Sequence, residues 1–427
     1  MMVLDHTESR STWRVYLFSL IIVVGLILIL MVLAYRQLSQ EAYWKEQMAQ
    51  SSIRVVKVPA PRGMIVDRNQ TVLVDSRPSY NVALYLYEFK AGRDPKKLLK
   101  AVHESVETLK KRMKIPVNIN DNTVRRHCDQ RGPLPLTVWN DLSPAALAAF
   151  EERSPWMPGV DLQIEPVRFY PFGTLASHVL GYLGKPQNSP EEAVDIDRTG
   201  RRAFSQPHMI GKSGIEFSMD QDLQGTPGLH EIRFNAAGFK EAETKNAPPI
   251  PGNNVVLSID QRIQAIVEEA FVGYRGACVV LDPNNGDILA MASMPAYDPN
   301  LFIPRIKLSD WDALRKDDQK PLINRAIHSD YSPGSSFKVI VALKALEENI
   351  INSSSVFECP GRFFLGNREF KCWEADGHGS MNLREAITMS CNVYFYNLGQ
   401  RLNGPNLWSI AEAFGLGKKT GVPLMDE

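Results

Sequence analysis

Two short patterns carry residues able to do covalent chemistry. Tyr331-Ser-Pro-Gly-Ser-Ser-Phe-Lys338 leaves a turn at Gly334 and enters an apolar stretch, Phe337 to Leu346, that lacks Gly and Pro. This stretch reads as a helix buried on most sides. Ser335 and Lys338 stand at i and i+3, on one face of its first turn, which puts the Ser335 hydroxyl within hydrogen-bond reach of the Lys338 amine. Burial disfavours a charged lysine, so Lys338 is a candidate base and Ser335 a candidate nucleophile. Backbone N–H groups at the helix start lie near the place where an oxyanion would form. Taken alone, a Ser-x-x-Lys is more often a helix cap beside a solvated lysine. It gains weight from Ser390-Cys391-Asn392, 55 residues further on. A hydroxyl two residues before an amide aims both groups into one cleft, Ser390 to relay a proton and Asn392 to bind a substrate amide.

Soft metal ligands gather in the same stretch. Cys359, Cys372, His378 and Cys391 are separated by 13, 6 and 13 residues. A Cys3His set is a common tetrahedral zinc shell, and Gly361, Gly366, Gly377 and Gly379 supply the turns that bring it together. The alternative is one disulfide plus a free thiol in an oxidising compartment. Because Cys391 lies inside the second pattern, a zinc would pin the loop of Ser390 and Asn392 against the Cys359 to His378 segment. Cys128 and Cys278 lie elsewhere and read as buried thiols.

The elements that must hold these residues form an α+β unit. Val255 to Ile259 reads as a strand and Gln261 to Val272 as a helix. Ala277 to Leu281 and Ile288 to Ser293 read as an antiparallel hairpin closed by Asp282-Pro-Asn-Asn-Gly-Asp287. Upstream the chain is mixed, with β-like alternation over Tyr80 to Tyr87, a charged helical stretch over Asp94 to Met113, and no internal repeat. The breaker-rich segment Lys245 to Asn254 divides the two parts, with residues 36–250 as one domain and 251–427 as the next. Gly211-Lys212-Ser213 is not a phosphate loop, because that motif needs a glycine where Gln206 stands. Asp67, Arg68, Asp282 and Asp287 read as salt-bridge partners and turn caps.

The 48 basic and 48 acidic side chains cancel, so no long-range field gathers nucleic acid. Hydrophobic content of 44% excludes wholesale disorder, and five cysteines cannot all pair within the chain. Val15 to Tyr35 is 21 residues without a charge, long enough to cross a bilayer as one helix. The run is too long for a cleaved leader and continues into the polar, helix-like stretch Arg36 to Gln50. Arg10 and Arg14 at its start place residues 1–14 in the cytoplasm and the remainder outside.

Ser335-x-x-Lys338 followed by Ser390-x-Asn392 matches two of the three motifs of the active-serine penicillin-binding transpeptidases. Supporting segments run through almost the whole chain: Arg62-Gly-Met-Ile-Val-Asp-Arg68, Arg168-Phe-Tyr-Pro171 with His178-Val-Leu-Gly-Tyr182, Gly211-Lys-Ser-Gly-Ile-Glu216, Leu257-Ser-Ile-Asp260, Ala290-Met-Ala-Ser-Met-Pro295 and Asn324-Arg325-Ala326. On these residues the chain resembles the class B penicillin-binding proteins, nearest their elongation-type branch. The resemblance implies a single-pass protein of the bacterial inner membrane with a non-catalytic, dimerisation-type pedestal and a periplasmic domain of the penicillin-binding, serine β-lactamase-like fold. That domain would cross-link peptidoglycan stem peptides during cell elongation. Ser335 would attack the D-Ala-D-Ala carbonyl, with Lys338 as base, Ser390 as proton relay and Asn392 as substrate-binding amide. The oxyanion would sit between the Ser335 N–H and one from a later strand. β-Lactams would acylate the same serine, and the implied partner is a polytopic membrane glycosyltransferase. Phe370-Lys-Cys-Trp-Glu-Ala-Asp-Gly-His-Gly379 is similar to a loop that supplies zinc ligands in some of these proteins, where an aspartate can replace a cysteine.

The third family motif is Lys-Thr/Ser-Gly on an edge strand. Lys419-Thr420-Gly421 has the letters but follows Asn392 by only 27 residues. Its surroundings, Phe414 to Leu424, resemble instead the family's turn after the second motif. Lys419 to Gly421 is therefore expected to be a decoy, and the chain to be incomplete as a catalyst. Two other functions compete. A β-lactam sensor would need further membrane helices and a cytoplasmic effector, and a scaffold without catalysis would have no use for the four polar site residues.

Overall fold

The structure is a computed structural model that describes residues 9–39, 53–89, 94–113, 119–131, 134–153, 157, 159–186, 194–196, 202–205, 209–234 and 240–425. Its first element is the helix Ser9–Ser39. Trp13 to Arg36 within it is apolar enough to cross a membrane, and no described residue covers it. Residues 40–50, the far part of the polar stretch after it, lie outside the described residues.

Two mixed sheets and a helical layer build the first half. Ile53–Val58 is the middle strand of a five-stranded sheet, antiparallel to Gly228–Phe234 and parallel to Arg202–Ser205, with Lys240–Ala247 and Val194–Ile196 at the edges. The second sheet is organised by the long strand Val72–Leu84, which pairs along most of its length with Val160–Phe169. The helix Pro95–Met113 buries Leu99, Val102, Val106 and Leu109, a 3-4-3 spacing that lays one apolar stripe on this sheet.

The second half does not begin with a separate core. Val255–Val256 joins the second sheet beside Ile65–Val66, so the expected strand to Ile259 is cut to two residues. Its chain turns away because Asp260 is needed as an N-cap: its carboxylate accepts from the Arg262 and Ile263 N–H groups that open the helix Gln261–Ala270. Gly276–Leu281 and Ile288–Met294 form the expected hairpin. Ile65, Leu73, Tyr170, Ile215 and Leu223 share one buried cluster with Ile259, Met291 and Leu424. Under that cluster Glu216, fully buried, receives Arg62 Nε and Arg168 Nε at 2.6 Å each. Arg62 also reaches Asp220 at 2.8 Å, and Arg168 Nη1 donates to the Gly63 carbonyl at 2.7 Å. Gly211 has to be glycine here, because a Cβ would fall 1.9 Å from the Glu216 carbonyl oxygen. The Gly-Lys-Ser triplet is thus packing against the Glu216 turn, consistent with its rejection as a phosphate loop.

A second cluster carries the chemistry. The helix Phe337–Glu347 buries Val341, Ala342 and Ala345 against Cys359, Cys372, Cys391, Tyr394, Leu398 and Leu402. Expected to be buried on most sides, this helix is covered on one face only. Val339 and Leu343 are 59% and 46% exposed, because no described element packs on their side. Cys128 and Cys278 are half-buried rather than buried, and neither is in a disulfide. Cys128 borders the core of the Pro95–Met113 helix, while Cys278 lies on a two-stranded ribbon. The helix Asn392–Ala413 kinks at Asn403, φ 62°, just ahead of Pro405.

Candidate active site

Ser335 lies on a single 3-10 turn, Gly334–Ser336, that feeds the helix of Lys338. Gly334 at φ +58° makes the preceding bend. Ser390 sits on the turn between the helices Leu383–Thr388 and Asn392–Ala413. It is left-handed at φ 48°, a conformation costing a non-glycine residue about 1 kcal/mol or more. That twist faces its hydroxyl toward the serine turn.

The expected direct contact between Ser335 and Lys338 is replaced by a chain through Ser390. Lys338 Nζ donates to Ser390 Oγ at 3.1 Å, to the Ser390 carbonyl at 2.8 Å and to Asn392 Oδ1 at 2.7 Å. Ser390 Oγ in turn donates to Ser335 Oγ at 2.9 Å. The lysine turns this way because the Ser390 to Asn392 turn offers three acceptors at once. Hydroxyl hydrogens rotate, so the Ser335–Ser390–Lys338 path can run in either direction. Burial pushes Lys338 below the usual lysine range, with the nearby Cys372 and Cys391 opposing the shift. Asn392 Nδ2 donates to the Lys371 carbonyl at 3.3 Å. Ser335 is exposed, so its hydroxyl faces solvent while the Lys338 amine is half-withdrawn.

All four soft ligands meet beside this chain. The ligand atoms of Cys359, Cys372, His378 and Cys391 lie within 4.8 Å of one another, and the three cysteines are buried. His378 Nδ1 is 3.6 Å from Cys359 Sγ and 3.5 Å from Cys372 Sγ. Tetrahedral zinc with ordinary bond lengths would set sulfur and nitrogen about 3.6 Å apart. Burial raises Cys372, but the N–H groups of Glu374, Asn392 and Val393 outweigh it and bring the thiol down to about 7. Burial, with the other two thiols close by, pushes Cys391 up. Three adjacent thiols cannot all ionise without a cation, and a divalent ion removes that conflict. His378 Nε2 is buried without a hydrogen-bond partner, on a ring packed edge-on to Trp373 at 5.1 Å. The donor set fits a structural metal, and all five cysteines are free of disulfides.

The remaining sequence candidates fall where turns and ion pairs put them. Asp67 accepts from the Asn69, Thr71 and Gln261 N–H groups. Arg68 reaches Asp287 at 3.8 Å, and Asp282 caps its own turn through the Asn284 N–H. Lys419 to Gly421 follow a turn and belong to no strand. Sequence reasoning missed the capture of the Met389 carbonyl by the Trp373 indole; the only signal was an aromatic residue adjoining Cys372.

Two family models match the chain. Residues 57–257 match the penicillin-binding protein dimerisation domain and residues 276–427 the penicillin-binding protein transpeptidase domain. The peptidoglycan D,D-transpeptidase MrdA of Acinetobacter baumannii is 32% identical over 98% of this chain. The chain spans 61% of the length of that relative. Among solved structures, a complex of the penicillin-binding protein PBP2 with MreC from Helicobacter pylori superposes with a TM-score of 0.72 at 30% identity, covering 88% of this chain and 68% of that one. A structure titled for the coordination of polymerization and crosslinking by a peptidoglycan synthase complex gives 0.63 at 26% identity, over 98% of this chain and 70% of that one.

Proposed function

This chain belongs to the penicillin-binding proteins, with a dimerisation domain followed by a transpeptidase domain, and from that premise we propose that it serves a serine-type peptidoglycan D,D-transpeptidase of the elongation type. The observation that carries the reading is the unbroken path from Ser335 Oγ through Ser390 Oγ to Lys338 Nζ. With Lys338 neutral, the Ser335 proton passes to Ser390 while the Ser390 proton passes to Lys338. Ser335 Oγ bonds to the penultimate D-Ala carbonyl of a stem peptide. When the tetrahedral adduct collapses, the C–N bond breaks and the departing D-Ala amine takes a proton back along the path. The acyl group then transfers to an amine of a neighbouring strand, which loses a proton as the ester to Ser335 breaks. A β-lactam enters the first half of this sequence and stops as the acyl-enzyme. Asn392 Nδ2, held among the described residues by a 3.3 Å bond to the Lys371 carbonyl, is available to a substrate carbonyl.

Zinc is the metal best suited to the Cys3His set, and Cys359, Cys372, His378 and Cys391 would hold it. Bound there, it supplies a structural pin rather than a step of the reaction. The apolar helix Trp13–Arg36 supports a single-pass anchor, and Arg10 and Arg14 support a cytoplasmic N-terminus in the inner membrane. A relative solved in complex with MreC and another in a peptidoglycan synthase complex support contacts with elongation-machinery proteins, and the partner we propose is a polytopic membrane glycosyltransferase.

Intact-protein mass after incubation with a penicillin tests the reading, on the full-length gene product beside Ser335→Ala and the 427-residue chain. A stable adduct that vanishes in Ser335→Ala is expected. A folded full-length protein that gains no mass would sink the transpeptidase and leave a scaffold.

A further inference from the structure

The turn that bears Ser390 is held from outside at two consecutive carbonyls. Lys338 Nζ takes the Ser390 carbonyl at 2.8 Å from the nucleophile helix. Trp373 Nε1 takes the Met389 carbonyl at 2.9 Å from the opposite side. Between those two bonds stands the left-handed Ser390, whose N–H donates to the Ile387 carbonyl at 3.1 Å while the Cys391 N–H donates to the Ala386 carbonyl at 2.9 Å, the bonds that close the Leu383–Thr388 helix. A non-glycine residue keeps that conformation only where its surroundings over-determine it. The Trp373 ring is 59% exposed, so burying apolar surface does not explain its place. Its fixed contacts are the indole bond and the edge-on packing against His378.

We propose that Trp373 is a positioning residue: its indole N–H locks the Met389–Ser390 peptide so that the Ser390 hydroxyl bridges Ser335 and Lys338. Without that bond the Met389 carbonyl turns to water, and the Ser390 turn, left to its helix-closing bonds and Lys338, can swing. The hydroxyl then leaves the line between nucleophile and base. Trp373 bonds to the Met389 carbonyl and packs on His378; its proposed effect runs through Ser390. The inference deepens the transpeptidase reading and rests on it for its effect on rate, though not for its effect on the turn.

The test is Trp373→Phe, which keeps a ring beside His378 and removes the donor. In the 427-residue chain, amide exchange of Ser390 and Cys391 should quicken by roughly five- to tenfold, the equivalent of one net hydrogen bond. Exchange in the helix Phe337–Glu347, metal content and melting temperature should hold. In the full-length gene product, the penicillin acylation rate constant at saturation should fall by a similar factor, with the half-saturating concentration unchanged. Wild-type protein gives a check that needs no variant to fold: the Trp373 indole N–H should exchange more slowly than that of Trp408, which is 67% exposed. Unaltered turn exchange and acylation would overturn the proposal. So would losses that appear only together with lost metal or a lower melting temperature, or an unprotected Trp373 indole. If wild-type protein is not acylated at all, the transpeptidase reading fails while the exchange results still decide the role of Trp373.

Discussion

Replacing Glu216 by Gln should destabilise the protein far more than its modest change in shape suggests. Glu216 is fully buried and faces two guanidinium groups at 2.6 Å, with Arg168 1% and Arg62 8% exposed at the side chain. Arg62 keeps a second carboxylate in Asp220 at 2.8 Å. The stranded charge is therefore Arg168, left with the Gly63 carbonyl and weaker contacts at 3.4 Å to the Arg62 carbonyl and Ser76 Oγ. Breaking a buried pair from one side costs about 3–5 kcal/mol, and the Asp220 contact argues for the lower end, about 3 kcal/mol. At roughly 2–4 °C per kcal/mol for a unit of this size, melting should fall by about 6–12 °C. Arg77 and Asp141 supply the control. They meet in a bidentate pair at 2.7 and 2.6 Å, yet both are 42% exposed. Asp141→Asn should cost under about 1 kcal/mol. Differential scanning fluorimetry of both variants checks this, and equal shifts would refute burial as the amplifier.

Penicillin acylation of the full-length gene product should rise with pH, with its basic limb below the ~10.4 of a solvated lysine, because burial lowers Lys338. Lys338→Arg, which keeps the charge but cannot accept a proton, should slow acylation by about 10²–10⁴-fold in stopped-flow fluorescence. Asp260→Ala should lower stability by about 1 kcal/mol through loss of the cap. Hydrogen bonds from Arg262 and Asn69 hold the Asp260 carboxyl well below the usual carboxylate range. Its contribution is therefore present above about pH 4 and lost as pH falls below it, so wild-type and variant melting temperatures should converge in acid. Emission spectrometry should find one zinc per chain, and removing it with a chelator should lower the melting temperature and speed proteolysis of the Cys359 to His378 segment; metal-free protein with unchanged melting would refute a structural ion.

What was legible in the sequence was local. The turn that leads Ser335 into the helix of Lys338 and the Asp282 to Asp287 hairpin are each written within a few residues, and each forms where the spacing put it. Cys359, Cys372, His378 and Cys391 could be grouped from the sequence because residue type alone limits the choice, and the fold brings them together. The route of the Lys338 amine was not legible. It depends on a positive φ at Ser390, and beyond its own helix-closing bonds that turn is gripped by side chains 52 and 16 residues away in sequence from the carbonyls they capture. Arg62, Arg168 and Glu216 were each seen in a family-like segment, but nothing in those segments says that three charges separated by 154 and 48 residues share one buried site. The exposure of Val339 and Leu343 escaped for a related reason. Periodicity tells which faces of a helix are apolar, and only the arrangement of neighbours tells which are covered.

The shared cluster that covers Glu216 also decides where the polypeptide can be cut. The breaker-rich stretch before Asn254 looks like a hinge on paper, yet Gly252, Asn253 and Val255 are tied by backbone bonds to Pro61, Asp222 and Met64. Trimming the gene at that stretch would strip Ile65, Leu73, Tyr170 and Leu223 from around Ile259 and Met291, and leave the remaining piece sticky and prone to precipitate. A soluble version for crystallisation should start ahead of Arg62, after the apolar helix Trp13–Arg36, and carry the first half of the chain as part of the second half's own foundation.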